Sequence, residues 1–383
     1  MRLAPHSDFL NLDGLVHLAA GGESPSLRAQ LTAVERYIRL KGRSGLGTPD
    51  YRAKQDAYDR CKERAAVLFG VTPAEIAFAS SVADGASQIA LSLPWQSGDN
   101  IVLEDVEFLS SLLPWTRLRD RGVEIRVIRH ADWSPDEAHF RAAVNERTRL
   151  IAVSQVNYLT GIQHNLEALR QIADGGNAML YADVTHAAGA APVPARLCDF
   201  AVSATYKWLL GCQGVATVVW NRERVPELEP AIVGWRSVTD ALGPANDPLT
   251  PVWKPTAERL EAGNPPWMAI VYLDVALGYL LDLGLDQVYA HVRDLSARMH
   301  EGLRLLGVPL ATPSDPRWRA GNNCFWVENP ESIAERLAGE NILVSGYSGR
   351  IRISTHIWND EADVDRGLAA LQPIVTGVAV RAS

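Results

Sequence analysis

The sequence is poor in the features that mark most specialised proteins. Its four cysteines, Cys61, Cys198, Cys212 and Cys324, are scattered with no CxxC pair. That spacing argues against a structural zinc site and against a disulfide framework, and no metal is expected. No apolar run reaches the ~18 residues needed to read as a membrane-spanning helix, and the opening MRLAPHSDFLNLDG carries no apolar signal core. Cationic residues are outnumbered: 37 Lys and Arg against 45 Asp and Glu give a net charge of −8. Neutralising phosphates requires the opposite excess, so no nucleic-acid partner is expected. Neither GxGxxG nor GxxxxGK[ST] occurs, which removes the glycine-rich loops of common nucleotide sites. Internal repeats and low-complexity tracts are also missing. Together these absences fit a cytoplasmic enzyme, and they fit many other proteins of this size equally well.

What is present is ample apolar material, 47% of 383 residues, enough for a large core. From about Asp50 to Trp220, helical and strand-like segments alternate. Arg52 to Phe69 reads as an amphipathic helix, followed by a turn and buried strand in VTPAEIAFAS. The runs DNIVLEDV, VEIRVIR, RLIAVSQV, AMLYADV and CDFAVSAT are short and β-rich. Helical stretches such as Leu166 to Ala173 lie between several of them. Apolar strands alternating with helices predict a mostly parallel sheet covered on both faces. The texture changes where Pro248, Pro251, Pro255, Pro265 and Pro266 cluster. Two long helical patterns follow, Met268 to Leu283 and Leu285 to Leu306. NNCFWVEN and RIRISTHI then read as strands. The expected architecture is a large α/β domain over 16–255 and a smaller C-terminal α+β domain over 256–383, with residues 1–15 a candidate addition to the smaller one.

Ligands of open α/β sheets bind outside the carboxyl ends of the strands. Two such ends follow each other here: AMLYAD ends in Asp183, and DFAVSATYK runs into Lys207. If the strands are neighbours, a carboxylate and an amine face one crevice. Pyridoxal 5′-phosphate (PLP) requires that pair. The amine forms a Schiff base with the cofactor aldehyde, and the carboxylate keeps the pyridine nitrogen protonated so that the ring accepts electrons from a carbanion. Each residue taken alone reads better as a turn-capping Asp or a surface Lys.

The surrounding stretch YADVTHAAGAAPVPARLCDFAVSATYKWLLGCQGVATVVW resembles the cofactor segment of fold-type I, class V PLP enzymes, a family that includes cysteine desulfurases, kynureninases, isopenicillin-N-epimerase-like proteins and several aminotransferases. The shared pattern is Asp, His three residues on, a small-residue helix start, a strand, Lys and a glycine turn. The likeness extends over roughly Leu15 to Leu371. It implies the PLP-transferase fold, with a mostly parallel seven-stranded sheet between helices. It also implies that Asp183 pairs with the ring nitrogen, that His186 contacts the phenolic oxygen or stacks nearby, that Lys207 carries the cofactor, and that Tyr206 reaches the phosphate. FASSVADGASQIAL resembles the phosphate loop and its helix, with Val82 and Ala83 where Thr side chains often donate; Ser80 and Ser81 are further candidates. EDVEFLSSLLPW matches the element whose ring covers the cofactor, here Phe108. In SQVNYLTG both Asn157 and Tyr158 are candidates for a contact to the phenolic oxygen.

RLEAGNPPWMAI resembles a motif that reaches the phosphate of the neighbouring subunit, here through Asn264. That implies a homodimer with shared active sites. RIRISTHIWNDEADVD resembles the C-terminal element whose Arg, here Arg352, binds the substrate α-carboxylate. Strand alternation puts Arg350 on the same face, but only Arg352 matches the motif. The resemblance implies a PLP-dependent enzyme acting on an α-amino acid. The loop before Arg352, ENILVSGYSG, lacks the nucleophilic cysteine of desulfurases, and VNYLTG, TYKW and VGWRS lean towards kynureninase-like members. A kynureninase-like or β-eliminating lyase is therefore the first expectation. A class V aminotransferase or amino-acid epimerase is the second, and an inactive binding or regulatory protein of this fold the third.

Overall fold

The computed structural model describes residues 1–43, 45–129, 137–241, 243, 247 and 249–375. Pro248 of the proline cluster falls outside them. The centre is a seven-stranded sheet whose spatial order is Ile76–Ala79, Ala216–Trp220, Phe200–Ala204, Met179–Asp183, Thr148–Ser154, Asn100–Glu104, Glu124–Ile128. Ala216–Trp220 runs antiparallel to both neighbours and every other pairing is parallel. Successive residues of these strands enter different cores. Leu180 and Ala182 join one buried cluster, while Tyr181 joins the other. That is the two-sided burial which a near-continuous apolar strand requires.

The helices begin and end where local chemistry dictates. Thr48 caps Pro49–Phe69 by accepting from the Tyr51 N–H, Pro49 occupies the first turn, and Gly70 closes the helix at φ 64°. This helix packs on Trp267–Leu283, an apolar helix with buried Ile270, Leu273 and Leu277. The C-terminal sheet has three antiparallel strands, in the order Ser345–Tyr347, Arg350–Ser354, Asn322–Trp326. Its hairpin turns through Ser348 and Gly349, at φ 52° and 74°; two positive φ values in a two-residue loop match the strand twist. The start of the chain lies against these elements. Val16–His17 pairs with Ile342–Leu343, and Arg2 forms ion pairs with Asp360 and Asp363.

One local expectation is corrected. The small-residue stretch after His186 is not a helix start but a run of turns, with the Ala187 and Ala188 N–H groups both donating to the Val184 carbonyl. Gly189, at φ 91°, breaks the helical path. The Trp208 carbonyl oxygen would stand 2.2 Å from any Cβ there, so only glycine lets these two loops approach.

Candidate active site

Met179–Asp183 and Phe200–Ala204 are parallel neighbours, with Asp183 opposite Val202. Their carboxyl ends therefore open at one edge of the sheet, into a cavity lined by Ser80, Ser81, Val82, Phe108, Tyr158, Asp183, His186, Tyr206 and Lys207, among others. Lys207 sits in the loop after its strand. That loop is closed by Thr205, whose hydroxyl is within hydrogen-bond reach of the Cys212 and Val215 carbonyls at 3.0 and 2.9 Å. The lysine amine is buried. Its Nζ lies 3.1 Å from His186 Nε2 and 5.5 Å from the Phe108 ring centroid. Burial foremost, and then the Arg352 charge, pull its pKa down from 10.5 to about 8, against the opposing pull of Asp183.

The Asp183 carboxylate is tied at both oxygens. Oδ1 accepts from the Thr185 backbone N–H at 2.9 Å and Oδ2 from the Ser111 hydroxyl at 2.6 Å. A carboxylate so held is pre-oriented. His186 is buried and its pKa is driven well below the ordinary histidine value, by desolvation first and then by Lys207, Arg352 and Arg350. Beneath the cavity, Glu107 accepts from the Ser154 N–H at 2.7 Å. Burial and the neighbouring Glu104 push its pKa well above the ordinary carboxylate range.

At the opposite wall begins the helix Val82–Ser92. The Ser81 hydroxyl accepts from the Asp84 N–H and the Ser81 carbonyl from the Gly85 N–H. The N–H groups of Val82 and Ala83 precede the helix's own acceptors and remain available to an anion. Val82 lines the cavity; Ala83 is one position further into the helix. Phe108 stands at the start of Leu109–Thr116, edge-on to Tyr158 with ring centroids 5.0 Å apart.

The two candidates in SQVNYLTG separate. Asn157 points into its own turn: its Oδ1 accepts from the Leu159 and Thr160 N–H groups, and its Nδ2 donates to the Val106 carbonyl. Tyr158 lines the cavity instead. Arg350 and Arg352 share a face, as alternation requires, and both donate to the Tyr158 carbonyl, at 3.2 and 3.1 Å. Arg352 also donates to the Tyr347 hydroxyl at 2.9 Å, and its Nε has no partner among the described residues. The groups that act on its charge are Tyr347, Cys324, Arg350 and Tyr158, none of them a carboxylate. Arg350 is fully buried, 4.3 Å from the Tyr347 ring centroid and 5.3 Å from that of Tyr158. Asn264 is exposed and is not among the residues lining the cavity of its own chain.

Sequence reasoning missed Ser111, Glu107, Ser154, Asn322 and Tyr347. Of these, only Ser111 carried a local signal, lying in the first turn of the helix that Phe108 precedes.

Comparison with known proteins gives one family. The model described as aminotransferase class-V matches residues 30–366. An uncharacterized aminotransferase of Schizosaccharomyces pombe is 27% identical over 300 residues, covering 76% of this chain and 75% of the relative. A probable cysteine desulfurase of Pyrococcus abyssi is 27% identical over 368 residues, 89% of each chain. Among solved structures, the apo cysteine desulfurase of Thermococcus onnurineus superposes with a TM-score of 0.87 at 24% identity, over 97% of this chain and 98% of that one. A lysine-to-alanine mutant of C-DES, with glycine covalently linked to its PLP cofactor, gives 0.88 at 22% identity, over 98% and 100%. These likenesses establish the fold.

Proposed function

The chain belongs to the class-V aminotransferase family, and on that premise we propose that it is a PLP enzyme acting on an α-amino acid, a kynureninase-like or β-eliminating lyase. The observation that carries the reading is the convergence of Lys207, Asp183 and His186 on one cavity whose far wall is a helix N-terminus.

The donor set fits the cofactor end to end. A buried amine of lowered pKa suits an aldehyde, a doubly bonded carboxylate suits a pyridinium nitrogen, and free backbone N–H groups beside Ser80 and Ser81 suit a phosphate. Bound there, PLP supplies an aldehyde for amine capture and a ring that withdraws electrons from the substrate Cα. The rest is done by the chain. Lys207 Nζ would hold the cofactor aldehyde and would serve as the base for the substrate Cα proton. Asp183 keeps the ring cationic, with Ser111 and the Thr185 N–H fixing its direction. Phe108 and His186 bracket the site and exclude water. Tyr206, Val82 and Ala83 hold the phosphate, and Asn264 extends to the site of a second subunit in a homodimer. Arg352 binds the α-carboxylate, which replaces the Tyr347 hydroxyl on its guanidinium.

Persulfide transfer by this chain's own thiol is disfavoured. None of the four cysteines lines the cavity. Burial pushes Cys198 up to about 12 and Cys212 up to about 11, and raises Cys61 and Cys324 as well. A thiol held protonated is a poor nucleophile. The test is an amino-acid screen with and without a keto-acid acceptor, following ammonia, pyruvate and alanine. Release of ammonia or a cleaved side chain without an acceptor supports the lyase. Turnover that strictly requires the acceptor replaces it with an aminotransferase.

A further inference from the structure

His186 Nδ1 faces two groups that donate hydrogen bonds. The Trp208 indole Nε1–H lies 3.4 Å away and the Asn322 Nδ2 lies 3.0 Å away. Indole nitrogen can only donate, so Nδ1 must present its lone pair. With Nδ1 an acceptor, the Asn322 amide must turn its Nδ2–H to the ring and its Oδ1 to the Ser354 hydroxyl, which can donate to it at 2.7 Å. That pair is packed tightly: a Cβ on Gly21 would stand 2.8 Å from both the Asn322 Oδ1 and the Ser354 Oγ. All of these side chains are buried. With Nδ1 an acceptor and the ring neutral, the single ring proton belongs on Nε2, 3.1 Å from Lys207 Nζ.

We propose that Asn322 and Trp208 are positioning residues that lock His186 in its Nε2-protonated neutral tautomer, so that the imidazole donates a hydrogen bond to the lone pair of Lys207 Nζ. Trp208 is the last residue of TYKW, directly after the lysine. Asn322 belongs to the C-terminal sheet, on the strand paired with the one that carries Arg352. The relay therefore runs Ser354, Asn322, His186, Lys207, from the carboxylate-binding strand to the reactive amine. Its consequence rests on the role proposed for Lys207. An N–H aimed at Nζ disfavours an ammonium there, because two donors would then face each other. It favours the free base that both cofactor capture and proton abstraction need. Burial first, and then the Arg352 and Arg350 charges, oppose a second proton on His186.

The test uses cofactor-free full-length protein with 15N-labelled histidine. Long-range proton–nitrogen correlation distinguishes the two ring nitrogens, and His186→Gln identifies the resonance. The expected spectrum at pH 9, above the Lys207 pKa of about 8, shows one neutral tautomer with Nε2 protonated and Nδ1 bare. Asn322→Asp offers only acceptor oxygens and is expected to move the proton onto Nδ1 or produce an imidazolium. Trp208→Phe and Asn322→Leu, each of which removes one donor, are expected to yield a tautomer mixture, and either serves if the Asp variant fails to fold. An Nδ1-protonated or doubly protonated His186 in the parent protein overturns the proposal, as does a spectrum unmoved by these substitutions. The measurement needs neither cofactor nor substrate, so its failure leaves the PLP assignment standing, and failure of that assignment leaves the tautomer intact.

Discussion

The Ser111 hydroxyl donates to Asp183 Oδ2 at 2.6 Å and lies 3.2 Å from the Tyr181 hydroxyl. A residue of the helix that follows Phe108 thus fixes the carboxylate at the end of a strand more than seventy positions later. Ser111→Ala leaves one oxygen of a buried carboxylate without its donor, a loss of about 1–3 kcal/mol. The expected result is a fall in turnover of roughly tenfold with cofactor still bound. Unchanged turnover would show that Thr185 alone suffices to hold Asp183.

Asp183→Asn keeps the shape and removes the charge. Turnover is expected to fall by roughly a hundredfold or more, on the order of 3 kcal/mol, as when one preorganised electrostatic group is lost. Steady-state kinetics on protein shown by absorbance to be cofactor-loaded checks this. Equal rates would remove Asp183 from the mechanism.

Arg352→Lys retains charge but loses the two-pronged geometry that suits a carboxylate. KM is expected to rise strongly with the bound cofactor's spectrum intact. Arg350→Lys is expected to act differently. Neither arginine is among the residues lining the cavity, but Arg350 is fully buried and stacked against Tyr347 and Tyr158, so its loss lowers thermal stability while KM moves less. A larger KM effect at Arg350 than at Arg352 would reassign the carboxylate.

Lys207 has a pKa lowered by burial from 10.5 to about 8. Between those values the unfolded chain binds the proton that the folded chain does not, so stability rises with pH across that window and is lost as pH falls through about 8. Cofactor-free Lys207→Met is therefore expected to be more stable than the parent at pH 7, by an amount on the order of 1–3 kcal/mol. The gap is expected to shrink as pH rises from 8 to 10.5. Denaturant titration at several pH values checks it; a less stable variant at pH 7 would contradict the buried, destabilised amine.

Much of this was legible in the sequence because it was local. The parallel sheet followed from apolar runs spaced by helices, and the Asp183–Lys207 pairing from two strand ends in succession. The limits of Trp267–Leu283 and Leu285–Leu305 fell within a residue of the periodic pattern. The rest depended on tertiary geometry. Asn157 and Tyr158 follow the same strand, and only the turn formed by Leu159 and Thr160 shows which side chain is engaged elsewhere. Ser111, Ser154 and Asn322 are commonplace residue types whose partners lie on distant elements. The turns after His186 read as a helix start because alanines favour one, and the Trp208 carbonyl that forces Gly189 out of it comes from another loop.

Asn264 is exposed in the single chain, where a role at a neighbour's phosphate leaves it. Light scattering of the cofactor-loaded enzyme is expected to give a dimer, and Asn264→Ala to weaken cofactor retention. A fully active, cofactor-loaded monomer would remove the shared site.

The central claim is that Lys207 binds PLP covalently. Borohydride reduction of the loaded protein, followed by peptide mapping, tests it most directly. The account predicts one reduced pyridoxyl group per chain, on Lys207, and none in Lys207→Ala. A label on another lysine, or no reducible cofactor at all, would contradict it.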